Sequence, residues 1–279
     1  MHSSDDASRV DPPVARSYSR RSALILGGMG LGAAMAGSAL FDATPSLADE
    51  AAVGAAAEPF EIVIAIYREG TLLDFAGPSD VFHRIPNTRV RFASLHGGPV
   101  SLEYGIVFGE TMRLADVPKT DLLLVPGGRD LREPMLPAFQ EQLVRLGSGA
   151  KHITSVCTGS LPLAATGLLK GKRSACHWAF VNQLARYGAI PDPQRFVSDD
   201  NGRFMSGGGV TSGIDFALRV AAVLSGKEAS ELAQLIIEYD PDPPFKSGHP
   251  RSAPPEILAM AEQRLPGATR GLAKIPGVS

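Results

Sequence analysis

Short apolar runs recur along the first half of the folded part of the chain, and stretches with helical spacing lie between them. The runs cover residues 61–67, 89–95, 122–125 and 153–156. Three of them are continuous, which is typical of strands buried on both faces of a parallel sheet, and the run at 89–95 alternates. Helices are predicted over residues 78–84, 138–146, 161–168 and 179–187. Strands that alternate with helices predict an α/β fold, with a mostly parallel sheet covered on both faces.

The second half of the chain continues with helical patterns. Apolar residues between 214 and 224 recur at the i, i+3, i+4 spacing of an amphipathic helix, which Thr211 or Ser212 can cap and Gly226 can end. Another helix is indicated around residues 232–236. Residues 240–245 are rich in proline and are predicted to be extended. A C-terminal extension over 246–279 is predicted to be partly helical, with a short helix around 257–263.

The first 48 residues have the pattern of an export signal. Arg20 and Arg21 precede an uncharged stretch over 23–40, and Ser46-Leu47-Ala48 places small residues at the positions that a signal peptidase recognises. This pattern predicts a twin-arginine-type signal peptide over 1–48, a periplasmic or secreted protein, and membrane contact only during export. An uncleaved anchor is the alternative, although 18 residues with five glycines are near the lower limit of about 17–25 for a span.

A small-residue linker over 49–58 and one folded domain over 59–245 are predicted to follow the leader. The 279-residue chain has 27 Lys+Arg against 29 Asp+Glu, so it lacks the basic excess of a nucleic-acid-binding protein. Two cysteines exclude a disulfide scaffold and a four-cysteine zinc site, and no HxxxH or CxxC spacing points to a metal.

Cys157 is the principal candidate for chemistry. The segment Thr154-Ser-Val-Cys-Thr-Gly-Ser160 is an apolar run followed by a small-residue turn and a helical pattern, which is the context of a nucleophile elbow. A sulfur at a helix N-terminus is expected to have a lowered pKa, because the helix dipole favours the thiolate. A buried structural cysteine is the alternative.

Three further features fall at strand ends or helix starts, where open parallel sheets bind ligands. Gly127-Gly128 follows a buried strand and can present N–H groups to an anion, or form a plain tight turn. Asp74 precedes a helix start and can be an ordinary N-cap. His177 can face the site, in which case Cys176 faces the opposite side of the strand and does not pair with Cys157.

Together these segments resemble the PfpI-like superfamily of class I glutamine amidotransferase-like folds, over about residues 60–245. The resemblance lies in Ile62–Tyr67, Leu73–Pro78, Leu123–Gly128, Val156–Ser160, Ala175–Trp178 and Ser206–Asp215. It implies a three-layer flavodoxin-like sandwich with a mostly parallel central sheet and a nucleophile elbow. It also implies a homodimer without a metal or an organic cofactor.

Within the superfamily, the chain is most similar to the isonitrile hydratase branch, on Asp74, on Thr158 after the cysteine and on the segment 239–245. This similarity implies hydration of a small-molecule isonitrile to the N-substituted formamide through a thioimidate on Cys157. Asp74 would then donate the proton, and Thr158 would position the water or the acid. The implied oxyanion or substrate-binding residues are Gly127, Gly128, His177 and Gly208. Members with intracellular protease activity have His where Thr158 stands, which disfavours a peptidase.

Two other function classes stay open. One is an exported small-molecule-binding module, since the domain resembles the ligand-sensing halves of AraC-type regulators. Only 34 residues follow Phe245, too few for the helix-turn-helix pair of such a regulator. The other is a thiol-based redox sensor, or a hydrolase of the glyoxalase or deglycase type, in which a reactive Cys157 is prone to oxidation.

Overall fold

A computed structural model describes residues 58–265 of the protein. The predicted signal peptide, nearly all of the predicted linker and residues 266–279 lie outside the described residues, so the predictions made for them stay predictions. Between residues 58 and 265, no helix is both long and apolar enough to cross a bilayer.

The described chain contains eleven strands and five α-helices. The strands are β1 Phe60–Ala65, β2 Thr88–Ser94, β3 Val100–Ser101, β4 Val107–Phe108, β5 Met112–Arg113, β6 Leu122–Val125, β7 His152–Val156, β8 Arg173–Ser174, β9 Ile190–Pro191, β10 Phe196–Asp199 and β11 Phe204–Gly207. The helices are α1 Leu72–Phe82, α2 Pro137–Gly149, α3 Ser160–Ala165, α4 Ser212–Ile236 and α5 Pro255–Arg264.

Seven strands form one central sheet, in the order β10-β11-β7-β6-β1-β2-β5. Every neighbouring pair is parallel except β10 and β11, which pair antiparallel at one edge. The strands β3 and β4 form a separate antiparallel pair, and β8 and β9 a separate parallel pair. The prediction of a mostly parallel α/β sandwich is therefore confirmed.

Both faces of the central sheet are buried, which explains the continuous apolar runs. On β1, Val63 and Ala65 belong to one core cluster, Ile62 and Ile64 belong to the other, and all four are fully buried. Helices α2 and α3 cover the first face, and α1 and α4 cover the second. A strand between two helical layers has no solvent face on which polar residues would be favoured.

Several predicted element boundaries need correction. Helix α1 begins at Leu72, six residues before the predicted start, so Asp74 lies in its first turn and is not the N-cap. The N-cap of α4 is Thr211, but its side chain makes no capping hydrogen bond. The predicted helix over 179–187 is a 3₁₀ helix over Val181–Tyr187. The backbone of α4 breaks at Gly226, which agrees with the two separate helices predicted there.

Pro78 explains the misplaced start of α1. Proline favours the first turn of a helix, because it has no N–H to donate, and the prediction therefore began the helix at this residue. In the structure Pro78 lies inside α1, and a Cβ added to Gly213 of α4 would lie 3.3 Å from its ring. Pro78 therefore packs closely against α4 from the interior of α1, although sequence rules place such a proline at a helix start.

The turn after β7 packs against the end of β6 without space for a side chain. A Cβ on Gly159 would overlap the carbonyl oxygen of Val125 and would lie 2.6 Å from the carbonyl carbon of Pro126. Both contacts are with backbone, which cannot rotate away. The close approach of these two loops therefore requires glycine at position 159.

We predict that Gly159→Ala lowers the free energy of unfolding by at least about 2 kcal/mol, because the new methyl group forces the two loops apart. Urea denaturation measures this change. The matched control is Gly149→Ala at the exposed end of α2, where an added Cβ meets no atom within 4 Å. That control should be neutral or stabilising by about 0.5 kcal/mol. Equal stability of the two variants would contradict the prediction.

Candidate active site

Cys157 lies at the carboxyl end of β7 in a strained conformation. Its φ is 58°, in the left-handed region that non-glycine residues avoid, and it begins the 3₁₀ turn Cys157–Gly159 that leads into α3. Its N–H donates to the carbonyl of Gly208 at 2.7 Å, and its own carbonyl accepts from the hydroxyl of Ser160 at 3.2 Å. This is the geometry of a nucleophile elbow, in which local strain holds the side chain above the sheet.

Asp74 is a fully buried carboxyl group beside the thiol. The N–H of Gly127 donates to its Oδ2 at 2.8 Å, whereas Oδ1 has no hydrogen-bond partner in the structure. Burial raises the pKa of Asp74 to about 8, and the Gly127 N–H and the adjacent Cys157 thiol oppose this rise only in part. Asp74 is therefore mostly protonated at neutral pH, and Oδ1 can hold a proton available for transfer.

Gly127 lets the acid and the elbow come together. A Cβ on this residue would lie 2.6 Å from the backbone nitrogen of Thr158 and 2.7 Å from Oδ2 of Asp74. A side chain at this position would therefore separate the loop after β6 from both α1 and the elbow. The sequence pattern Pro-Gly-Gly predicted a turn here, and the structure shows that this turn also positions the acid.

Thr158 holds the same loop through its side chain. The N–H of Gly128 donates to the Thr158 hydroxyl oxygen at 3.1 Å, and the hydroxyl lies 3.2 Å from the Gly128 carbonyl, to which it can donate. The N–H groups of Gly127 and Gly128 are thus both engaged within the protein. The prediction that Gly128 offers a free N–H to developing negative charge needs correction, because the hydroxyl of Thr158 already accepts it.

The expected lowering of the cysteine pKa is also wrong for this geometry. Burial raises the pKa of the Cys157 thiol well above its usual value, and the negative charge of Asp74 raises it further. The Thr158 N–H acts in the opposite direction, because it favours the thiolate. Helix α3 has only six residues, and the desolvation of the sulfur outweighs its short dipole. The free site therefore contains a neutral thiol beside a neutral acid.

His177 and Gly208 differ in their relation to the sulfur. His177 lines the cavity above Cys157, and its Nδ1 accepts a hydrogen bond from the Ala179 N–H at 3.3 Å, which leaves the proton on Nε2. Burial lowers the pKa of His177, so the ring is a neutral donor. Gly208 uses its carbonyl for the Cys157 N–H and its own N–H for the Arg195 carbonyl. It positions the elbow and has no free backbone group for a substrate.

An open cavity of about 760 Å³ lies above the thiol. Among its lining residues are Cys157, Thr158, Gly128 and His177, so four of the predicted site residues share one space. Its apolar lining residues are Leu72, Leu73, Ala76, Ile106, Phe180, Val210 and Leu265. A cavity of this size and composition suits a small, mainly apolar molecule.

Sequence reasoning missed two contributions to this cavity. Glu103 comes from the turn between β3 and β4, and Arg264 and Leu265 come from the end of α5. No motif marks any of them, because each reaches the site only through tertiary packing. A second cavity of about 640 Å³ also borders His177 and is lined by Cys176, which is buried and, like Cys157, forms no disulfide.

Groups of three or more His, Cys, Asp or Glu that could hold a metal ion do not occur among residues 58–265. The groups of the described site that can take part in chemistry include the Cys157 thiol, the buried acid Asp74 and the backbone N–H of Thr158.

The chain is similar in sequence to several known proteins. A family model described as the DJ-1/PfpI family matches residues 61–223. Isonitrile hydratase of Pseudomonas putida is 39% identical over 205 residues, which are 73% of this chain and 89% of that protein. The HTH-type transcriptional regulator CdhR of Pseudomonas aeruginosa is 31% identical over 136 residues, which are 48% of this chain and 40% of the regulator.

Solved structures show the same fold. A THiJ/PfpI family protein from Pseudomonas syringae superposes with a TM-score of 0.73 and 33% identity, over 84% of this chain and 95% of that one. DJ-1beta of Drosophila melanogaster gives a TM-score of 0.58 at 22% identity, over 66% of this chain and 100% of that one. The second likeness supports the fold alone.

We predict that alkylation of Cys157 by iodoacetamide, followed in a Cys176→Ser background, reaches half of its maximal rate only above pH 9. The physical reason is that burial and Asp74 raise the pKa of the thiol. Asp74→Asn should move this midpoint to lower pH, because it removes the charge that appears when Asp74 ionises. The exposed Asp116→Asn should leave the midpoint unchanged. A wild-type midpoint below pH 8 would show that the thiolate forms readily and would overturn this electrostatic assignment.

Proposed function

The chain belongs to the DJ-1/PfpI family, and from that premise we propose that it hydrates isonitriles to N-substituted formamides at Cys157. The observation that supports this choice of chemistry is the pairing of Cys157 with Asp74, a buried acid whose pKa of about 8 keeps it protonated at neutral pH. The 39% identity to an isonitrile hydratase supports the choice of substrate class. The apolar cavity supports a small uncharged substrate.

An isonitrile, R–N≡C, suits a neutral acid better than most electrophiles do. Its terminal carbon has a lone pair that accepts a proton, and the resulting nitrilium carbon is strongly electrophilic. A protonated carboxyl group within reach of that carbon can therefore generate the electrophile at the moment of attack. The unpartnered Oδ1 of Asp74 is the atom that we assign to this proton.

The first half of the reaction needs no preformed thiolate. Asp74 donates its proton to the isonitrile carbon, and the Cys157 sulfur forms a bond to the same carbon. The thiol proton passes to the Asp74 carboxylate, so the acid is regenerated and the product is a neutral thioimidate, R–N=CH–S–Cys157. Because every species before and after this step is neutral, the buried site stabilises no isolated charge for long.

The second half releases the formamide. Water adds to the thioimidate carbon, Asp74 protonates the imine nitrogen, and the carbon–sulfur bond breaks to give R–NH–CHO and free Cys157. The Thr158 N–H, which interacts with the sulfur, stabilises negative charge on it as the bond breaks. The Thr158 hydroxyl keeps the Gly128 backbone in place, and the Nε2–H of His177 can bind the substrate across the cavity.

A binding module without turnover is the second candidate function. The chain is similar to the regulator CdhR over 48% of its length, and the matched part is only 40% of the regulator. A domain of this kind can therefore form one part of a larger regulator, which favours this candidate. In such a module the same cavity binds a small molecule, and Cys157 has only a structural role. A redox sensor is less favoured, because a thiol with a raised pKa is oxidised slowly.

Export through a twin-arginine-type signal peptide and assembly into a homodimer are further proposals. They rest on the sequence pattern of residues 1–48 and on the family resemblance. Fractionation of cells that express the full chain, with Arg20 and Arg21 either intact or both replaced by Lys, separates an exported protein from a retained one. Sedimentation of the purified protein determines the number of chains in the assembly.

We predict that the purified protein converts an alkyl isonitrile to the corresponding formamide and that Cys157→Ala abolishes the conversion. The matched control is Cys176→Ala, since Cys176 is also a buried free thiol but lines the second cavity and not the one above Cys157. This control should keep a rate close to that of the wild type. Product is measured by mass spectrometry of the reaction mixture. Turnover by Cys157→Ala at the wild-type rate would exclude the proposed nucleophile.

We predict that kcat/KM falls as the pH rises through about 8, because the reaction uses the protonated form of Asp74, whose pKa is about 8. Asp74→Asn should lose about 10²–10⁴-fold in kcat/KM, the usual contribution of a general acid, and should lose this alkaline limb as well. The exposed Asp116→Asn should keep both the rate and the limb. A rate that rises through pH 8 would instead indicate a reactive thiolate.

A further inference from the structure

We propose that Glu103 is the general base that activates water for hydrolysis of the thioimidate on Cys157. This inference rests on the proposed isonitrile hydration and assigns the one proton transfer that Asp74 cannot perform while it protonates nitrogen. The geometry behind it is that Glu103 lines the same cavity as Cys157 and Thr158 but comes from a different element.

The burial of Glu103 is not explained by an ion pair. Only 8% of its surface is exposed, and among the described residues it forms no salt bridge. Glutamate is almost never buried without a directly bonded charged partner, because removing the carboxylate from water is costly. A carboxylate that is buried and yet borders a substrate-sized cavity is therefore expected to act on what enters the cavity.

The turn that contains Glu103 is tied to the active-site loop. The Glu103 N–H donates to the Gly70 carbonyl at 3.2 Å, and the Glu69 N–H donates to the Ser101 carbonyl at 2.9 Å. Residues 69 and 70 lead directly into α1, which contains Asp74. Tyr104, the next residue, has a φ of 59°, which a non-glycine residue adopts only when its surroundings enforce it. Backbone hydrogen bonds thus connect the turn that contains Glu103 to the loop that leads to Asp74.

Asp74 and Glu103 differ in their burial and in the groups that act on their charge. Asp74 is completely buried, and its pKa of about 8 makes it an acid at neutral pH. Burial also raises the pKa of Glu103, but the Thr71 hydroxyl and the positive charge of Arg129 both oppose this rise, because they favour the ionised form. Two carboxyl groups in different surroundings are a common arrangement of an acid and a base.

Glu103 borders the cavity from an element to which neither Cys157 nor Asp74 belongs, which suits a group that acts on water in the cavity. The attacking water lies outside the thioimidate carbon, so its base has to approach from the cavity and not from the sheet below. Cys157 follows β7 and Asp74 lies in α1, whereas Glu103 comes from the β3–β4 turn. A base in this place acts on the water by hydrogen bonding to it.

The protons balance over the hydrolytic half-reaction. The water oxygen bonds to the thioimidate carbon, its proton passes to the Glu103 carboxylate, and Asp74 gives its proton to the imine nitrogen. When the tetrahedral adduct collapses, its hydroxyl proton passes to the Asp74 carboxylate and the carbon–sulfur bond breaks. The proton on Glu103 returns through solvent to the sulfur. The net change is the addition of one water molecule, and both acids recover their starting states.

The test is intact-protein mass spectrometry of Glu103→Gln during turnover of an alkyl isonitrile. We expect a covalent adduct of one isonitrile mass on Cys157 to accumulate, and steady-state formamide production to fall by about 10²-fold, because hydrolysis loses its base. Wild type should show no accumulated adduct. The control Glu110→Gln changes an exposed carboxylate of the neighbouring loop and should behave as wild type. In Glu103→Ala, added formate should restore part of the hydrolysis rate.

Each other outcome identifies what has failed. Turnover at the wild-type rate by a folded Glu103→Gln would overturn the role of Glu103 while isonitrile hydration stands. Loss of turnover in this variant without an accumulated adduct would do the same. Absence of formamide with the wild-type protein would overturn the proposed function and this inference together. Circular dichroism of each variant shows that the fold is intact.

Discussion

The carboxyl group of Asp74, enclosed between the Gly127 N–H and the Cys157 thiol, is the constraint on which the site depends. Its burial is possible because α1 begins before Asp74 and because Gly127 lacks a side chain, so that three loops meet at the edge of the sheet. In this place water cannot solvate a carboxylate, and the proton stays on the acid at neutral pH. At neutral pH the protonated carboxyl group of Asp74 thus lies beside the protonated thiol of Cys157, and both groups are neutral.

A neutral acid beside a neutral thiol favours a particular class of substrate. Thiolate enzymes usually attack an electrophile that is already polarised, and they lower the cysteine pKa to do so. Here the pKa of the thiol is raised, so the proposed reaction generates its electrophile by protonation in the site. Isonitriles meet that requirement, because protonation of their terminal carbon creates the electrophilic centre. The same electrostatics explain why the site tolerates burial that would disable a thiolate enzyme.

Much of the fold and part of the site could be predicted from the sequence. The runs that became β1, β6 and β7 are continuous because both sheet faces are buried, and this local pattern is unambiguous. The antiparallel edge formed by β10 and β11 was missed, because a four-residue strand has too few residues to show a period. The pKa of Cys157 was predicted in the wrong direction, because sequence shows a helix start but not the desolvation around it. Glu103 was missed because only tertiary packing brings the β3–β4 turn to the cavity.

The protonation state of Asp74 at neutral pH tests the central claim most directly. Infrared difference spectroscopy between the wild-type protein and Asp74→Asn reports the carbonyl stretch of a protonated carboxylic acid, which a carboxylate lacks. A protonated Asp74 gives this band at pH 7, and the band disappears as the pH rises through about 8. A difference spectrum without the band at pH 7, in which it appears only near the ordinary aspartate pKa of about 4, would contradict a stored proton at this site.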